Sequence, residues 1–270
     1  MAIGLENKPF AGLHAPLGAK SALRAFSLPM HLVSALCFYA LLLYPTFTPC
    51  FLHPVFTPYL QPHCHTILFP TTPLALAPDV WLLSGFVCAP LDALLQQQID
   101  SVVASAPLRQ LTVPSGQRMR VAMSNCGPLG WTSSLAGYRY TPHDPDTLQA
   151  WPAMPEAFAA LAKSAAAAVG WPGFAPDACL INRYAPGVGM GLHQDRDERN
   201  LAAPIVSVSL GASCKFMLGG LQRSSPVHSV ALHHGDVVVW GGRSRLVFHG
   251  VRPLPPGSAL RYNLTFRQAL

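Results

Sequence analysis

Two stretches of the chain carry apolar residues at helical spacing. "LDALLQQQIDSVVASA" (91–106) predicts one helix, and the Ala-rich "PEAFAALAKSAAAAV" (155–169), with a proline at its start, predicts a second. After these the period shortens to that of strands. "ACLINRY" (178–184), "PIVSVSLG" (204–211), "HSVALHH" (228–234), "GDVVVWG" (235–241), "RLVFHGV" (245–251) and "RYNLTFRQ" (261–268) are short β-like runs separated by Gly, Pro, Ser and His-Gly. Helices followed by many short strands predict an α+β fold, with the strands in a sandwich or jelly roll and the helices packed on one side. Alternation then sorts the faces of individual strands. In "RYNLTFR", Arg261, Asn263, Thr265 and Arg267 share one face, and Tyr262, Leu264 and Phe266 the other. A solvent-facing edge accounts for such a polar face, and so does a buried anion. In "CLINRY", Leu180, Asn182 and Tyr184 lie together.

Composition divides the chain in two. At 270 residues and 50% hydrophobic it can bury a sizeable core, yet only 11% of residues are charged, against about 25% in ordinary soluble domains. From Ala25 to Pro78 there is no Asp, Glu, Lys or Arg; from Asp79 onward there are 15 basic and 11 acidic residues, and 13 of the basic ones are Arg. Arginine suits bidentate contact with carboxylates and phosphates, and the sequence pI near 9.1 favours an anionic partner such as nucleic acid. Residues 1–74 are expected to be a Pro-rich, apolar, poorly structured extension, and 75–270 the functional domain. Within the extension, "LVSALCFYALLLY" (32–44) has the look of a signal core or the start of a span, but prolines 45, 49, 54 and 58 interrupt it and it is too short to cross a bilayer. Membrane contact of the 25–78 segment is therefore not expected, and "PHCH" (62–65) is not expected to bind metal. Seven cysteines without a C-x-x-C pair point to a reducing compartment, with the cytoplasm as the default location.

Candidate chemistry begins at "NRYAPGVGMGLHQDRDERN" (182–200). His193 and Asp195, at i and i+2, project from the same side of an extended segment. A further histidine from a neighbouring strand would complete three ligands on one face of a metal. His249, at a strand end beside Gly250, is the candidate, with His233 and His234 as competitors that read better as turn or surface residues. Two imidazoles and a carboxylate with open positions are the ligand set of non-haem Fe(II) oxygenases. Iron needs an electron source; if that is 2-oxoglutarate, its far carboxylate requires a bidentate cation. Arg261 or Arg267 meets that need, with Asn182 and Tyr184 as partners.

Together "ACLINRYAPG", H-Q-D, "APIVSVSLG", "HGDVVVWGG", "SRL" with "HG", "RYNLTFRQ", and "VAMSNCGPLGW" (121–131) with the spacing of Tyr138 closely resemble the AlkB family of nucleic-acid dealkylating dioxygenases, in order over about residues 75–268. The resemblance implies a double-stranded β-helix (jelly-roll) core with flanking helices and a nucleotide-recognition lid. It implies Fe(II) held by His193, Asp195 and His249 as the catalytic set, with O₂ and 2-oxoglutarate as co-substrates. The positions that hold 2-oxoglutarate in the family match Asn182, Tyr184, Arg261, Asn263 and Arg267. The lid matches residues around Met123, Trp131, Tyr138 and Tyr140, and Asp197 and Arg223 match contacts to the damaged base. The implied reaction is oxidative demethylation of 1-methyladenine and 3-methylcytosine in DNA, preferably single-stranded, with release of formaldehyde, by a monomer without an obligate protein partner. RNA or tRNA is the alternative substrate. An aromatic wall at Trp131 suits a cationic base, and Arg118, Arg120 and Arg139 suit phosphates. Two departures stand out: the connection "GVRPLPPGSAL" is several residues shorter than in the bacterial prototype, and Met190 replaces a leucine beside the substrate. A non-catalytic jelly-roll module and a zinc hydrolase with the same ligands are the other classes weighed. The first lacks a reason for the complete triad, and the second lacks one for the paired arginines.

Overall fold

The computed structural model describes residues 72–270. The extension, with its apolar run and "PHCH", lies outside the described residues. Strands β1 (Leu74–Ala77) and β2 (Val80–Leu83) lead into helix α1 (Leu91–Ser105), and then come β3 (Ala122–Cys126), β4 (Gly130–Ser134) and β5 (Gly137–Thr141). Helix α2 (Glu156–Ala167) precedes β6 (Ala178–Tyr184), β7 (Met190–His193), β8 (Ile205–Gly211) and β9 (Cys214–Leu218). The last strands are β10 (His228–Leu232), β11 (Val237–Trp240), β12 (His249–Val251) and β13 (Arg261–Arg267). Among the described residues these strands pair with one another antiparallel. One sheet runs β1-β2-β11-β8-β13-β6-β3, a second β10-β9-β12-β7, and β4-β5 stand apart as a hairpin. This is the jelly-roll core. Among the described residues no helix is long and apolar enough to cross a membrane.

Alternation along the seven-stranded sheet builds two cores. Val206, Val208, Val237, Val239, Leu264 and Phe266 face outward onto Leu95, Ile99 and Val102 of α1 and Phe158, Leu161 and Ala165 of α2. The residues between them, among them Ile205, Val238 and Trp240, face the sandwich interior and meet Cys214, Phe216 and Leu218 of the smaller sheet. With both faces covered, β11 reads as the unbroken apolar run "VVVW". Burying a Val or Leu side chain contributes roughly 1.5–3 kcal/mol, so these faces supply much of the stability.

β13 is central, hydrogen-bonded to β6 on one side and β8 on the other. Its polar face therefore points into the sandwich: Arg261 is 1% exposed and Arg267 6%. A solvent-facing edge is excluded here. Period two separates faces but does not say whether the polar one meets water. Gly211 allows this register. It has φ +85°, and a Cβ there would lie 2.4 Å from the carbonyl of Leu260, the residue before Arg261.

The strand expected at 245–251 forms only at its end. Gly242–Ser244 is a 3-10 turn, and Arg245 folds inward to donate to the carbonyls of Ala203 (3.0 Å) and Asp195 (2.7 Å). A buried arginine with these partners is incompatible with an extended ladder at that point.

Candidate active site

β7 ends at His193, and its cross-strand partner on β12 is His249. Asp195 follows two residues after His193, so the register alone brings the three side chains together. One ligand atom from each lies within 4.8 Å of the others. Asp195 Oδ1 is 3.6 Å from His193 Nε2, and Oδ2 is 3.8 Å from His249 Nε2. Each imidazole Nδ1 faces a carbonyl, Gly191 O at 2.9 Å and Val247 O at 3.1 Å. A carbonyl only accepts, so Nδ1 carries the proton and Nε2 offers its lone pair to the common centre. Burial, with the neighbouring His193 adding to it, pushes His249 down to about 4, which keeps it neutral near pH 7. Burial works to raise the Asp195 carboxyl, but the Arg267 guanidinium and then the two histidines hold it well below the usual carboxylate range. Two imidazole Nε2 atoms turned to one centre and an ionised carboxylate are the donor set a divalent iron requires. His233 and His234 are exposed and remote from this centre, with Nδ1 of His233 at Ser213 and Nδ1 of His234 accepting from the Gly211 amide.

A cavity of about 710 Å³ opens onto the triad. Its floor is the polar interior face of β6 and β13, where Asn182 pairs with Asn263 and Tyr184 with Arg261 across the ladder. Arg261 Nη2 donates to Ser209 Oγ at 3.0 Å, and its Cζ lies 5.0 Å from the Tyr184 ring centroid. Among the described residues its Nε and Nη1 have no partner, and neither does Asn182 Oδ1. Unpaired donors on a buried guanidinium are costly, and an anionic ligand resolves the cost. Burial pushes the Tyr184 hydroxyl up to about 12, so it remains a donor. Asn263 is fixed by its Nδ2 donating to Ser207 Oγ (2.8 Å) and Val208 O (3.0 Å), and by Thr265 Oγ1 donating to its Oδ1 (2.8 Å). These groups fit a keto acid with two carboxylates, one at Arg261 and one near Arg267.

Toward solvent the lining changes. Trp131 on β4 stacks with Tyr138 on β5, with centroids 5.5 Å apart and planes 16° from parallel, and its Nε1 donates to Asp197 Oδ2 at 2.8 Å. Met123, Met190 and Arg223 line the same opening, with Arg223 lying 4.9 Å above the Phe248 ring. Arg118 and Arg120 are exposed at the rim; Arg139 is exposed but lies off this cavity. Of the residues expected to hold metal, keto acid or base, all but Tyr140 line the cavity. Tyr140 points behind the wall, and its hydroxyl donates to Glu198 Oε1 at 2.5 Å. The short 250–260 connection is tied down: Leu254 N donates to Val188 O, and Gly187 N to Leu254 O.

Glu198 and Arg245 escaped the sequence reading. Arg245 Nη2 donates to Glu198 Oε2 (3.0 Å), Arg267 Nε lies 3.2 Å from Glu198 Oε1, and Arg267 Nη2 donates to Asp195 Oδ2 (2.6 Å). The only signal available was a third acid, after Asp195 and Asp197, three residues beyond Asp195. Its partner Arg245 lies 47 residues away along the chain.

A jelly roll holding a His-Asp-His group, with Asp195 and His249 buried and His193 half-buried, beside interior arginines defines a class of iron oxygenases. The family model for the 2OG-Fe(II) oxygenase superfamily matches residues 79–267. The chain is 56% identical over 180 residues to the alpha-ketoglutarate-dependent dioxygenase AlkB of Escherichia coli (strain K12), covering 65% of this chain and 83% of that protein. It is 40% identical over 205 residues to the AlkB homolog of Caulobacter vibrioides (strain NA1000 / CB15N), covering 73% and 90%. The solved structure of OsALKBH1 superposes with a TM-score of 0.64 at 28% identity, over 73% of this chain and 99% of that one. The chain belongs to the 2OG-Fe(II) oxygenase superfamily and, within it, to the AlkB family. It is an Fe(II)- and 2-oxoglutarate-dependent dioxygenase.

Proposed function

We propose that this enzyme removes N-linked methyl groups from 1-methyladenine and 3-methylcytosine in DNA, single strands before duplex, as a direct repair reaction. The observation that carries this reading is one cavity joining the His-Asp-His group to a stacked aromatic wall, an acidic side chain and an arginine rim. His193, Asp195 and His249 would hold the iron on one face. Arg261, supported by Tyr184, Asn182 and Asn263, would hold one carboxylate of 2-oxoglutarate, and Arg267 would lie against the other. Bound iron, with O₂ and 2-oxoglutarate, supplies the oxidation that turns a methyl group into a hydroxymethyl group, with CO₂ and succinate as co-products. The hydroxymethyl group leaves as formaldehyde and the base is restored.

The chain's own residues select the substrate. Trp131 and Tyr138 offer a stacking face to a base taken out of its stack, at a cost of roughly a few kcal/mol that is least where methylation has already broken pairing. Asp197 favours the positive charge of an N1-methyladenine or N3-methylcytosine ring. Met123 and Met190 fill the apolar side of the opening, and Arg118, Arg120 and Arg223 meet phosphates.

The test loads the full chain anaerobically with Fe(II), then adds O₂, 2-oxoglutarate and a 3-methylcytosine oligonucleotide, with His193→Ala alongside. Formaldehyde and restored cytosine that need iron, keto acid and His193 are the expected result. Restoration of the same base in RNA but not in DNA would move the substrate. Neither product from folded, iron-loaded protein would overturn the reading.

A further inference from the structure

The buried acid Glu198 lies outside the reaction as described, yet it touches three parts of the molecule at once. It is 6% exposed. Oε2 accepts from Arg245, which in turn holds the Asp195 carbonyl. Oε1 lies 3.2 Å from Arg267 Nε and also accepts the Tyr140 hydroxyl at 2.5 Å. Arg267 passes the connection on, with Nε and Nη2 both on Asp195 Oδ2 at 3.0 and 2.6 Å. Tyr140 stands directly opposite Trp131 in the β4–β5 ladder, and Trp131 is bonded to Asp197, the residue before Glu198. The hairpin is therefore fastened by two neighbouring aromatics to two consecutive carboxylates, one of which also orients an arginine of the cavity floor.

We propose that Glu198 is a positioning residue that sets Arg267 for the keto acid and, through Tyr140, links occupancy of the keto-acid site to the placement of the β4–β5 hairpin. This rests on the assignment of the cavity floor to 2-oxoglutarate. The charges explain why an acid is needed. Arg267 has two acids within reach, and its Nε is shared between them. Without the Glu198 charge, Asp195 alone holds the guanidinium, which turns toward the metal carboxylate and away from the ligand. Arg245 is held by two carbonyls as well, so its place depends less on the acid. A role limited to neutralising Arg245 would require neither the Tyr140 bond nor the Arg267 contact.

The experiment uses the full chain with Mn(II) in place of iron, without nucleic acid, and reads two quantities: the dissociation constant of 2-oxoglutarate by calorimetry and hydrogen exchange of amides 130–141. The native protein is expected to protect the hairpin further when 2-oxoglutarate binds. Glu198→Gln keeps the shape and loses the charge; it is expected to weaken 2-oxoglutarate by about tenfold and to abolish the added protection. Tyr140→Phe, a milder change, is expected to abolish the added protection and to have no further effect in the Glu198→Gln background. If Glu198→Gln fails to fold, Tyr140→Phe still decides. A folded Glu198→Gln, or failing that Tyr140→Phe, with 2-oxoglutarate-dependent hairpin protection like the native chain overturns the proposal. Native protein that binds 2-oxoglutarate but repairs no base would instead count against the substrate assignment, because this binding is read without any base.

Discussion

The floor and the mouth of the cavity are built on different terms. On the floor, the inward-facing polar side chains of β6 and β13 sit inside a seven-stranded sheet, nearly free of solvent, with Arg261 held by Ser209 and Asn263 by Ser207 and Val208 of the adjacent strand. At the mouth, Trp131 and Tyr138 belong to a two-stranded hairpin outside both sheets, and Tyr138 is 47% exposed. A two-stranded hairpin by itself is marginally stable, so side-chain bonds to Asp197 and Glu198 do much of the holding. On the proposed reading, the floor presents a small, invariant co-substrate with a rigid site, and the mouth meets a larger and more variable ligand, its exposed cations acting through screened, salt-dependent attraction.

Changes on the floor should therefore be severe, and changes at the mouth graded. The largest effect is expected from Asp195→Ala, which should abolish metal binding and turnover. It also leaves Arg267 as a buried charge with only Glu198 to oppose it, so thermal denaturation should show a loss of about 3–5 kcal/mol in stability. Next is Arg261→Lys, which exchanges a planar fork for a point charge. It should raise the KM for 2-oxoglutarate by roughly 10- to 100-fold while the KM for the oligonucleotide stays near native. Acid comes third. Folding favours the neutral His249 ring, which titrates at about 4 against its ordinary 6.5. The stability it contributes to the metal-free protein is complete above pH 6.5 and is lost as the pH falls through about 4, which urea denaturation across that range measures. Trp131→Phe keeps a stacking ring and removes the Nε1 donor; it should raise the oligonucleotide KM about three- to tenfold and leave 2-oxoglutarate unaffected. Smallest is Arg118→Ala, which should weaken oligonucleotide binding modestly and lower the slope of log affinity against log salt by about 1. A large 2-oxoglutarate effect from Trp131→Phe, or a large oligonucleotide effect from Arg261→Lys, would dissolve the contrast between the regions.

The same contrast governed what could be read from the chain. β6, β8 and β13 were legible almost to the residue because each runs for seven residues, with β-branched residues in β8 and clear alternation in β13, and α1 and α2 because their apolar stripes are clear. β3, "AMSNC", was not read as a strand. It buries Ser124 and Asn125, Ser124 bonded to the Ala106 carbonyl and Asn125 to Trp131, and so shows no alternation. β7 is four residues including a glycine, and β1 and β2 are equally short. The His193–Asp195 spacing suggested a metal site but could not choose its third member. The register of β7 against β12 brings His249 to it. The ion pairs of Glu198 with Arg245 and Arg267 span 47 and 69 positions, and no local pattern records them.

The most direct measurement of the central claim is a balance. Full-length, iron-loaded enzyme is given a 3-methylcytosine oligonucleotide, O₂ and 2-oxoglutarate, and succinate and restored cytosine are counted over the same turnovers. One cavity that binds the keto acid on its floor and the methylated base at its mouth predicts one succinate per base restored. Succinate formed at the same rate with or without the oligonucleotide, and no cytosine restored, would contradict it.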